Sequence, residues 1–557
     1  MRPYLFSIMI ATSLVLFSGI AQAACTSPAG NAGELKYDSA ARKMAYCNSL
    51  VWVQIGAGPK GGGGCASPTA TAGAILFDST NRVMKHCNGQ EWAPWGVVGG
   101  IGSGSGCTSP TGVGGALLYN SDYRVLQYCD GKTWEVAGSL QPTLQMDFTS
   151  DDYTMNGTSY ASLAAFLTAT SGTFTRASTA SYFNVSGVLS SAASGAARLD
   201  YDPVTHDARG ILMEESRTNL IKQSAAIDNA SWNKAAGISV TANATTAPDG
   251  TVSAESVSPT TAANSYVSQS AASVWSAGQT ITRSVYAKAG VGSTVLFEQN
   301  VGGSFSDTRF DLATGTVTSL GTGVTASIQN VGNGWYRLIA TRTWVAASGA
   351  SQRFDVIIID DDGGAVVGNN VYLWGAQIEI GPNVTSYIPT VASTVTRAVD
   401  VLTVPTPLWY NANMGTFFAE TYGEKNNNGT TYSGYVIGVG SGTDKNLIDY
   451  SASLSSFEAW CNGTDPAMVA TFTPAASPSQ SVKVAFAWNA TGTTRSLIAS
   501  GGSVATGSYG SYGCDYTAPS IRIGGNAGGA TLNAPIKQIQ YYPFPIPTAE
   551  LQTMVQQ

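Results

Sequence analysis

The stretch that decides the fold is Trp374 to Asp400, which reads WGAQIEIGPNVTSYIPTVASTVTRAVD. Apolar and polar residues alternate from Val371 into this stretch, which predicts a strand that ends at Gly381-Pro382. The following Tyr387-Ile388-Pro389-Thr390 is expected to be extended, because a residue before proline is driven out of the helical region. A Ser/Thr/Val run then begins a new strand. The stretch is therefore predicted to join two β-sandwiches.

The composition of the whole chain favours an all-β extracellular protein. Its 557 residues exceed what one core can organise, which indicates several domains. Charged residues make up only 11% of the chain, against about 25% in an average soluble protein, and there are 63 glycines. The formal net charge is −7, and no cluster of Lys and Arg is present. Binding to nucleic acid is therefore not expected.

Residues 1–23 have the pattern of a secretory signal peptide. Arg2 is followed by an apolar run from Leu5 to Ile20 and then by Ala21-Gln22-Ala23, which matches a cleavage site. A membrane anchor is the alternative, but the run is shorter than the roughly 20 residues of a transmembrane helix. The pattern predicts a secreted or cell-surface protein with no membrane span.

Three copies of one cysteine-containing unit follow, at 24–55, 65–95 and 107–137. They align without a gap, and each is predicted to be a small hairpin. A zinc site is the alternative, but only one copy has a nearby histidine. The Gly-rich spacers 56–64 and 96–106 predict separate beads rather than a packed stack. In an oxidising compartment the cysteines are expected to form the pairs Cys25–Cys47, Cys65–Cys87 and Cys107–Cys129, with Cys461–Cys514 further along the chain.

The segments FTRASTASYF (174–183), DYDPVT (200–205) and EESRTNL (214–220) are distinctive. Together with the stretch quoted first, they resemble a module of phage tail-fibre and prophage-type surface proteins. The resemblance implies a carbohydrate-binding-module-like β-sandwich at 219–395, preceded by a connecting β segment at 142–218. Whether that segment packs with the first or the second sandwich stays open. If the motifs bracket the sandwich, Thr175-Arg176-Ala177 should lie close to Thr396-Arg397-Ala398.

Residues 396–557 form the last predicted domain. The strand at Ile536–Tyr542, the prolines after it and the final short helix resemble the end of concanavalin A-like lectin/glucanase domains. The predicted fold class is therefore all-β, with three small disulfide-bridged hairpin repeats followed by two antiparallel β-sandwich (jelly-roll) domains.

Candidate binding residues come from exposed aromatics and from an acidic run. Trp232, Trp275 and Trp344 could stack on a sugar face, although large aromatic residues in sandwiches are often core residues. Asp360, Asp361 and Asp362 could hold a structural calcium ion or form a solvated turn. No other cofactor is expected.

Catalytic residues are not evident in the sequence. Glu420 and Glu424 could share a strand face, but they do not match the carboxylate pattern of jelly-roll glucanases. The function predicted is a secreted, non-enzymatic protein that recognises polysaccharide or cell-surface glycan. The alternatives are a structural fibre or surface-layer protein without sugar binding, with possible homo-oligomers, and a glycoside hydrolase of concanavalin-like fold.

Overall fold

The computed structural model describes most of the chain from Cys25 onwards. In the N-terminal part it describes 25–26, 29–31, 33–38, 43–47, 52–55, 65–66, 69–78, 83–88, 91–95, 107, 111–120, 125–129 and 134–137. From 142 to 556 it describes all residues except 263–265, 272–274, 302–303, 345–352, 360–365, 408, 423–432, 440–445, 452–455, 460–467, 472–479, 490–493, 509–516 and 526–530. The predicted signal peptide and the proposed Cys461–Cys514 pair lie outside the described residues.

Each repeat forms a three-stranded antiparallel sheet, one strand more than the predicted hairpin. The predicted disulfides Cys25–Cys47, Cys65–Cys87 and Cys107–Cys129 are confirmed. The strands are β1 (Cys25–Thr26), β2 (Ala29–Gly30), β3 (Leu35–Asp38), β4 (Lys43–Cys47), β5 (Trp52–Ile55), β6 (Ile75–Asp78), β7 (Val83–Cys87), β8 (Trp92–Pro94), β9 (Leu117–Asn120), β10 (Val125–Cys129) and β11 (Trp134–Val136).

The repeats share one core, so the prediction of separate beads is wrong. Met44, Met84 and Leu126 occupy the same position in the three units and belong to a single buried cluster. The contacts are close: a Cβ added to Gly73 would lie 2.9 Å from the ring of Tyr37 in the preceding repeat. A Cβ added to Gly115 of the third repeat would likewise lie 2.9 Å from the ring of Phe77 in the second. A unit too small to bury its own apolar face is covered by its neighbours.

The segment after the repeats contains short strands and one helix. The Ser162 hydroxyl caps this helix by accepting a hydrogen bond from the Ala165 amide. The elements are β12 (Leu144–Asp147), β13 (Asp152–Met155), β14 (Thr158–Tyr160), α1 (Leu163–Thr170), β15 (Thr173–Thr175), β16 (Ala180–Phe183), β17 (Leu189–Ala192), β18 (Leu199–Tyr201), β19 (Ala208–Met213) and β20 (Arg217–Asn219).

The central sandwich consists of two six-stranded antiparallel sheets, in the orders β21-β24-β31-β26-β27-β28 and β22-β23-β32-β25-β30-β29. Its strands are β21 (Asn233–Lys234), β22 (Ile238–Thr246), β23 (Val252–Pro259), β24 (Tyr266–Ser270), β25 (Thr280–Ala289), β26 (Thr294–Val301), β27 (Ser304–Asp311), β28 (Thr316–Ser319), β29 (Val324–Asn330), β30 (Trp335–Thr343), β31 (Arg353–Ile359) and β32 (Val371–Ile380). The predicted strand that runs into Trp374 and stops before Gly381 is β32.

The C-terminal sandwich has a larger and a smaller sheet. The smaller sheet runs β15-β34-β43-β36-β37-β38-β39, and the larger contains β12, β13, β14, β18, β19, β35, β40, β41, β42 and β44. The remaining elements are β33 (Val395–Arg397), β34 (Val401–Pro405), β35 (Met414–Tyr422), β36 (Ser433–Val439), β37 (Asn446–Ser451), β38 (Ser456–Ala459), β39 (Met468–Thr471), β40 (Ser481–Asn489), β41 (Thr494–Ala499), β42 (Ala505–Ser508), β43 (Ser520–Ile523), β44 (Ala534–Tyr542) and α2 (Thr548–Gln556).

The connecting segment belongs to the C-terminal sandwich in its strand pairing. Leu144 pairs with Tyr541 and Ile211 pairs with Ile536, so β12 and β19 both hydrogen-bond to β44. Its β15 pairs with β34 in the opposite sheet. The central sandwich is therefore inserted between two parts of the chain that build the C-terminal one.

The two helices in the part of the chain that the structure describes contain 8 and 9 residues. Across the described residues, no helix has the length and apolar character needed to cross a membrane.

Candidate functional site

The three tryptophans predicted to stack on sugar are core residues. Trp232, Trp275 and Trp344 are 2%, 3% and 9% exposed, and all three belong to the apolar core between the sheets of the central sandwich. The Trp232 indole donates a hydrogen bond to the Gln223 carbonyl at 3.0 Å. Trp275 and Trp344 pack edge to face with ring centroids 5.0 Å apart. The stacking hypothesis is wrong for these residues because a sugar cannot reach a covered ring.

Trp335 of β30 and Trp374 of β32 are also buried. They lie on the face of their sheet that points away from the core containing Trp232. Trp335 donates to the Thr246 carbonyl at 3.1 Å, and Trp374 donates to the Ser253 hydroxyl at 3.1 Å. They form a second apolar cluster with Leu189 and Tyr387. Both tryptophans therefore hold the segments around β32 in place and offer no ring face to a ligand.

Of the five acidic residues considered as calcium ligands or catalytic carboxylates, the structure describes only Glu420. Asp360, Asp361, Asp362 and Glu424 lie outside the described residues, so the calcium site stays a prediction. Glu420 is 7% exposed and its carboxylate is 2.9 Å from the Lys537 ammonium. Burial alone would raise its pKa, but hydrogen bonds from Ser481 and Lys537 hold the pKa of Glu420 below its usual value. An ionised, paired carboxylate cannot serve as a general acid.

Five charged side chains, from the chain segments that precede and follow the central sandwich, form a buried group that we call the junction cluster: Arg176, Arg198, Glu214, Arg397 and Asp400. Arg198 bonds to Glu214 at 2.7 Å and also to Asp400. Arg176 reaches Asp400 at 3.0 Å, and Arg397 reaches Glu214 at 3.1 Å. Four of the five are no more than 2% exposed, and Glu214 is 3% exposed.

The distinctive motifs of the sequence therefore meet at one place. The Ala398 amide donates to the Ser178 hydroxyl at 2.9 Å, which confirms that the two bracketing motifs lie close together. Burial raises the pKa of Glu214, but Arg397 and Arg198 lower it to about 2. The Ser386 amide and hydroxyl each donate to Glu214 at 2.6 Å. The junction cluster is closed to solvent and is structural.

A polar cleft of about 590 Å³ lies on the outer face of the central sandwich. Thr308 and Phe310 of β27 are fully buried, so the residues that alternate with them point outwards. The cleft is lined by Thr294, Asp307, Arg309, Asp311, Thr318 and Ser319. In the sequence the only signal for it is the alternation of charged residues along β27.

The two carboxylates of the cleft differ in what they contact. Asp311 caps a turn: it accepts hydrogen bonds from the Ala313 amide at 2.8 Å and the Thr314 hydroxyl at 2.6 Å. Asp307 has a buried Oδ1 atom that accepts no hydrogen bond from any described residue. Burial raises the pKa of Asp307, and the nearby Arg309 opposes that shift.

The rest of the cleft supplies complementary polar groups. Arg309 lies two residues from Asp307 on the same strand face, about 7 Å along the strand, and adds donors. The Thr318 and Ser319 side chains are exposed hydroxyls on β28. Donors and acceptors at this spacing suit a ligand with several hydroxyl groups. Within the described residues, no group of three or more His, Cys, Asp and Glu side chains could hold a metal ion.

Comparison with known proteins gives no family. No family model matches the chain, and no curated protein matches it. Among solved structures it is similar to a sialidase of Trypanosoma rangeli bound to the inhibitor DANA, with 13% identity, 49% of this chain and 52% of that chain covered, and a TM-score of 0.22.

Two laminin fragments are also similar. The LG1-3 region of the laminin α2 chain matches at 11% identity over 51% of this chain and 66% of that one, with a TM-score of 0.20. Domains LG4-5 of the mouse laminin α1 chain match at 9% identity over 57% and 92%, with a TM-score of 0.18. The chain spans about half the length of the sialidase. Scores at this level carry no argument about function.

Proposed function

We propose that the protein is a secreted, non-enzymatic binding protein that recognises polysaccharide or cell-surface glycan through the polar cleft. The observation that carries the proposal is the lining of the cleft, in which Asp307 and Arg309 of β27 lie beside the exposed hydroxyls of Thr318 and Ser319. Sugar hydroxyls donate hydrogen bonds to carboxylates and accept them from guanidinium groups, so Arg309 complements Asp307. The ligand is held by polar contacts rather than by stacking on tryptophan.

The proposal of secretion rests on the N-terminal pattern and on the disulfides. The pattern of residues 1–23 is that of a signal peptide. Disulfides such as Cys25–Cys47 persist in oxidising compartments and are rare in the cytosol. An extracellular location would bring the cleft into contact with glycans.

The proposal of binding without catalysis rests on the two carboxylates that line the cleft, Asp307 and Asp311. Asp307 and Asp311 lie about 13 Å apart along β27, which exceeds the roughly 5 to 10 Å between the catalytic carboxyls of glycosidases. Glu298 lies opposite Asp307 in the strand register. Release of reducing ends from a bound polysaccharide would contradict binding without hydrolysis. Glu298 and Asp307 would then be the candidate catalytic carboxylates.

The test is a glycan array probed with the full secreted chain and with two variants. We expect the native chain to bind a subset of polysaccharides and Asp307→Asn to weaken that binding at least about tenfold, because a charge-assisted hydrogen bond is lost. Asp207→Asn changes an exposed carboxylate outside the cleft and should bind like the native chain. Absence of binding across bacterial and plant polysaccharides would refute the proposal, and equal binding by Asp307→Asn would exclude the cleft.

A second candidate is a structural component of a fibre of the phage-tail type that binds no sugar. The stacked repeats and the closed junction cluster favour it, because both make the chain stiff. Negative-stain electron microscopy of the purified protein distinguishes the two. Filaments or regular bundles that persist without glycan would support the structural role, and discrete particles would support the binding protein.

A further inference from the structure

The edge strand β29 of the central sandwich is long and regular. It contains seven residues, Val324–Asn330, and pairs with β30 at every one of them without a register shift. No hydrogen bond joins the backbone of 325–330 to any described backbone segment other than β30. Half of the N–H and C=O groups of such a strand point away from its neighbour. This row of backbone groups could therefore pair with another strand.

The other edges of the central sandwich are interrupted. In β22 the pairing shifts between Thr241 and Thr245, and Asn243 between them has a φ of 52°. On the opposite sheet, β21 has two residues, and β28 has four with a shift in its pairing. Bulges and short strands prevent an edge from pairing with another chain. Among these edges, β29 differs from the rest in having none of these features.

The side chains of β29 are also compatible with pairing. Val324, Ala326 and Ile328 pack against the sandwich core. The strand reads VTASIQN and has no charged residue and no proline. Charged residues and proline are the usual means of protecting an edge strand. Neither electrostatic repulsion nor a missing N–H opposes a second strand here.

We propose that β29 pairs antiparallel with β29 of a second copy of this chain, which joins two central sandwiches through a continuous sheet. A two-fold axis places the same strand on both sides, so the interface has to be self-complementary. Pairing centred on Ser327 sets Thr325 opposite Gln329 and Ala326 opposite Ile328 of the other copy. Each pair is uncharged, and the polar residues share one face.

The pairing has a consequence for the polar cleft, which rests on the proposed function. β28 carries Thr318 and Ser319 of the cleft and connects to β29 through residues 320–323. Both strands lie at one side of the central sandwich, so the dimer would hold two clefts close to the seam. A polysaccharide that reaches both clefts would bind more tightly than a short oligosaccharide, because the second contact becomes intramolecular.

The test is the mass of the full chain in solution, measured by light scattering and by sedimentation across the micromolar range. We expect a native dimer. The double variant Thr325→Lys/Ser327→Lys places four ammonium groups at the seam and should raise the dissociation constant at least about tenfold, which corresponds to about 1.4 kcal/mol. Both positions are on the outer face of the sheet, so the core is left intact.

The matched control is Ser239→Lys/Thr241→Lys, which adds the same charge to the same face of β22 at the opposite edge of the same sheet. It should dimerise like the native chain. Circular dichroism and the unfolding midpoint show that both variants fold. A native monomer at all concentrations, equal dimerisation of the β29 variant, or loss of the dimer in the control alone would each overturn the proposal. These outcomes do not depend on glycan binding.

Discussion

Glu255 is a buried carboxyl whose ionised form is unfavourable in the folded protein. It lies on β23, is 3% exposed, and accepts a hydrogen bond from the Asp228 amide at 2.5 Å. Burial and the neighbouring Asp228 carboxylate raise the pKa of Glu255 to about 8, from an ordinary value of 4.5. The folded state therefore binds a proton more tightly than the unfolded state does.

The sign of the pH dependence follows from this difference. The stabilisation from Glu255 is fully present below pH 4.5 and is lost as the pH rises through about 8. Glu255→Gln keeps the shape of the side chain without the charge, so its free energy of unfolding should fall less between pH 5 and pH 8 than that of the native chain. At pH 8 the variant should be more stable than the native chain by at least about 1 kcal/mol. Urea unfolding followed by tryptophan fluorescence measures the free energy of unfolding of both proteins at pH 5 and pH 8. The same slope in the native chain and the variant would contradict the assignment.

At the scale of elements, the junction cluster ties strands from both sheets of the C-terminal sandwich to β33, which pairs with β20. Arg176 follows β15, Glu214 follows β19, and Arg397 ends β33, so separate elements are tied by one set of ion pairs. Burying these charges is unfavourable unless every partner is present. The cluster therefore makes the packing of these strands all-or-none.

Arg198→Met tests this role. It leaves Glu214 and Asp400 buried with fewer partners, and we expect a loss of about 3 to 5 kcal/mol in the free energy of unfolding. Lys85→Met breaks the partly exposed Lys85–Asp78 pair, 2.7 Å long, and should cost about 1 kcal/mol or less. Chemical unfolding monitored by circular dichroism compares them. Equal losses in the two variants would show that burial does not strengthen the junction.

At the scale of the whole molecule, the order of domains along the chain differs from their assembly. Residues 142–218 precede the central sandwich, yet β12 and β19 complete the sheet of the C-terminal one by pairing with β44. A fragment that starts at 219 would expose the paired side of β44 and part of the core around Met146 and Ile211. Removing the repeats alone would leave that sheet intact.

Truncation tests the assembly. We expect the fragment 142–557 to resist protease like the intact sandwiches and the fragment 219–557 to be degraded or to aggregate, because buried apolar surface becomes exposed. Limited proteolysis with mass spectrometry identifies which sandwich is cut. Equal resistance in the two fragments would mean that β12 and β19 contribute little to the C-terminal sandwich.

The sequence by itself determined the strand that runs into Trp374, the three disulfides of the repeats and the approach of Arg176 to the segment around Arg397. The strand and the disulfides depend on alternation and spacing, which are local properties of the chain, whereas the approach of Arg176 to Arg397 was expected from the family resemblance of the bracketing motifs. The tertiary structure decided that Trp232 is covered, that Asp307 faces an open cleft and that the repeats stack. Alternation assigns a residue to one face of a strand, but only the neighbouring sheets decide whether that face meets solvent or core.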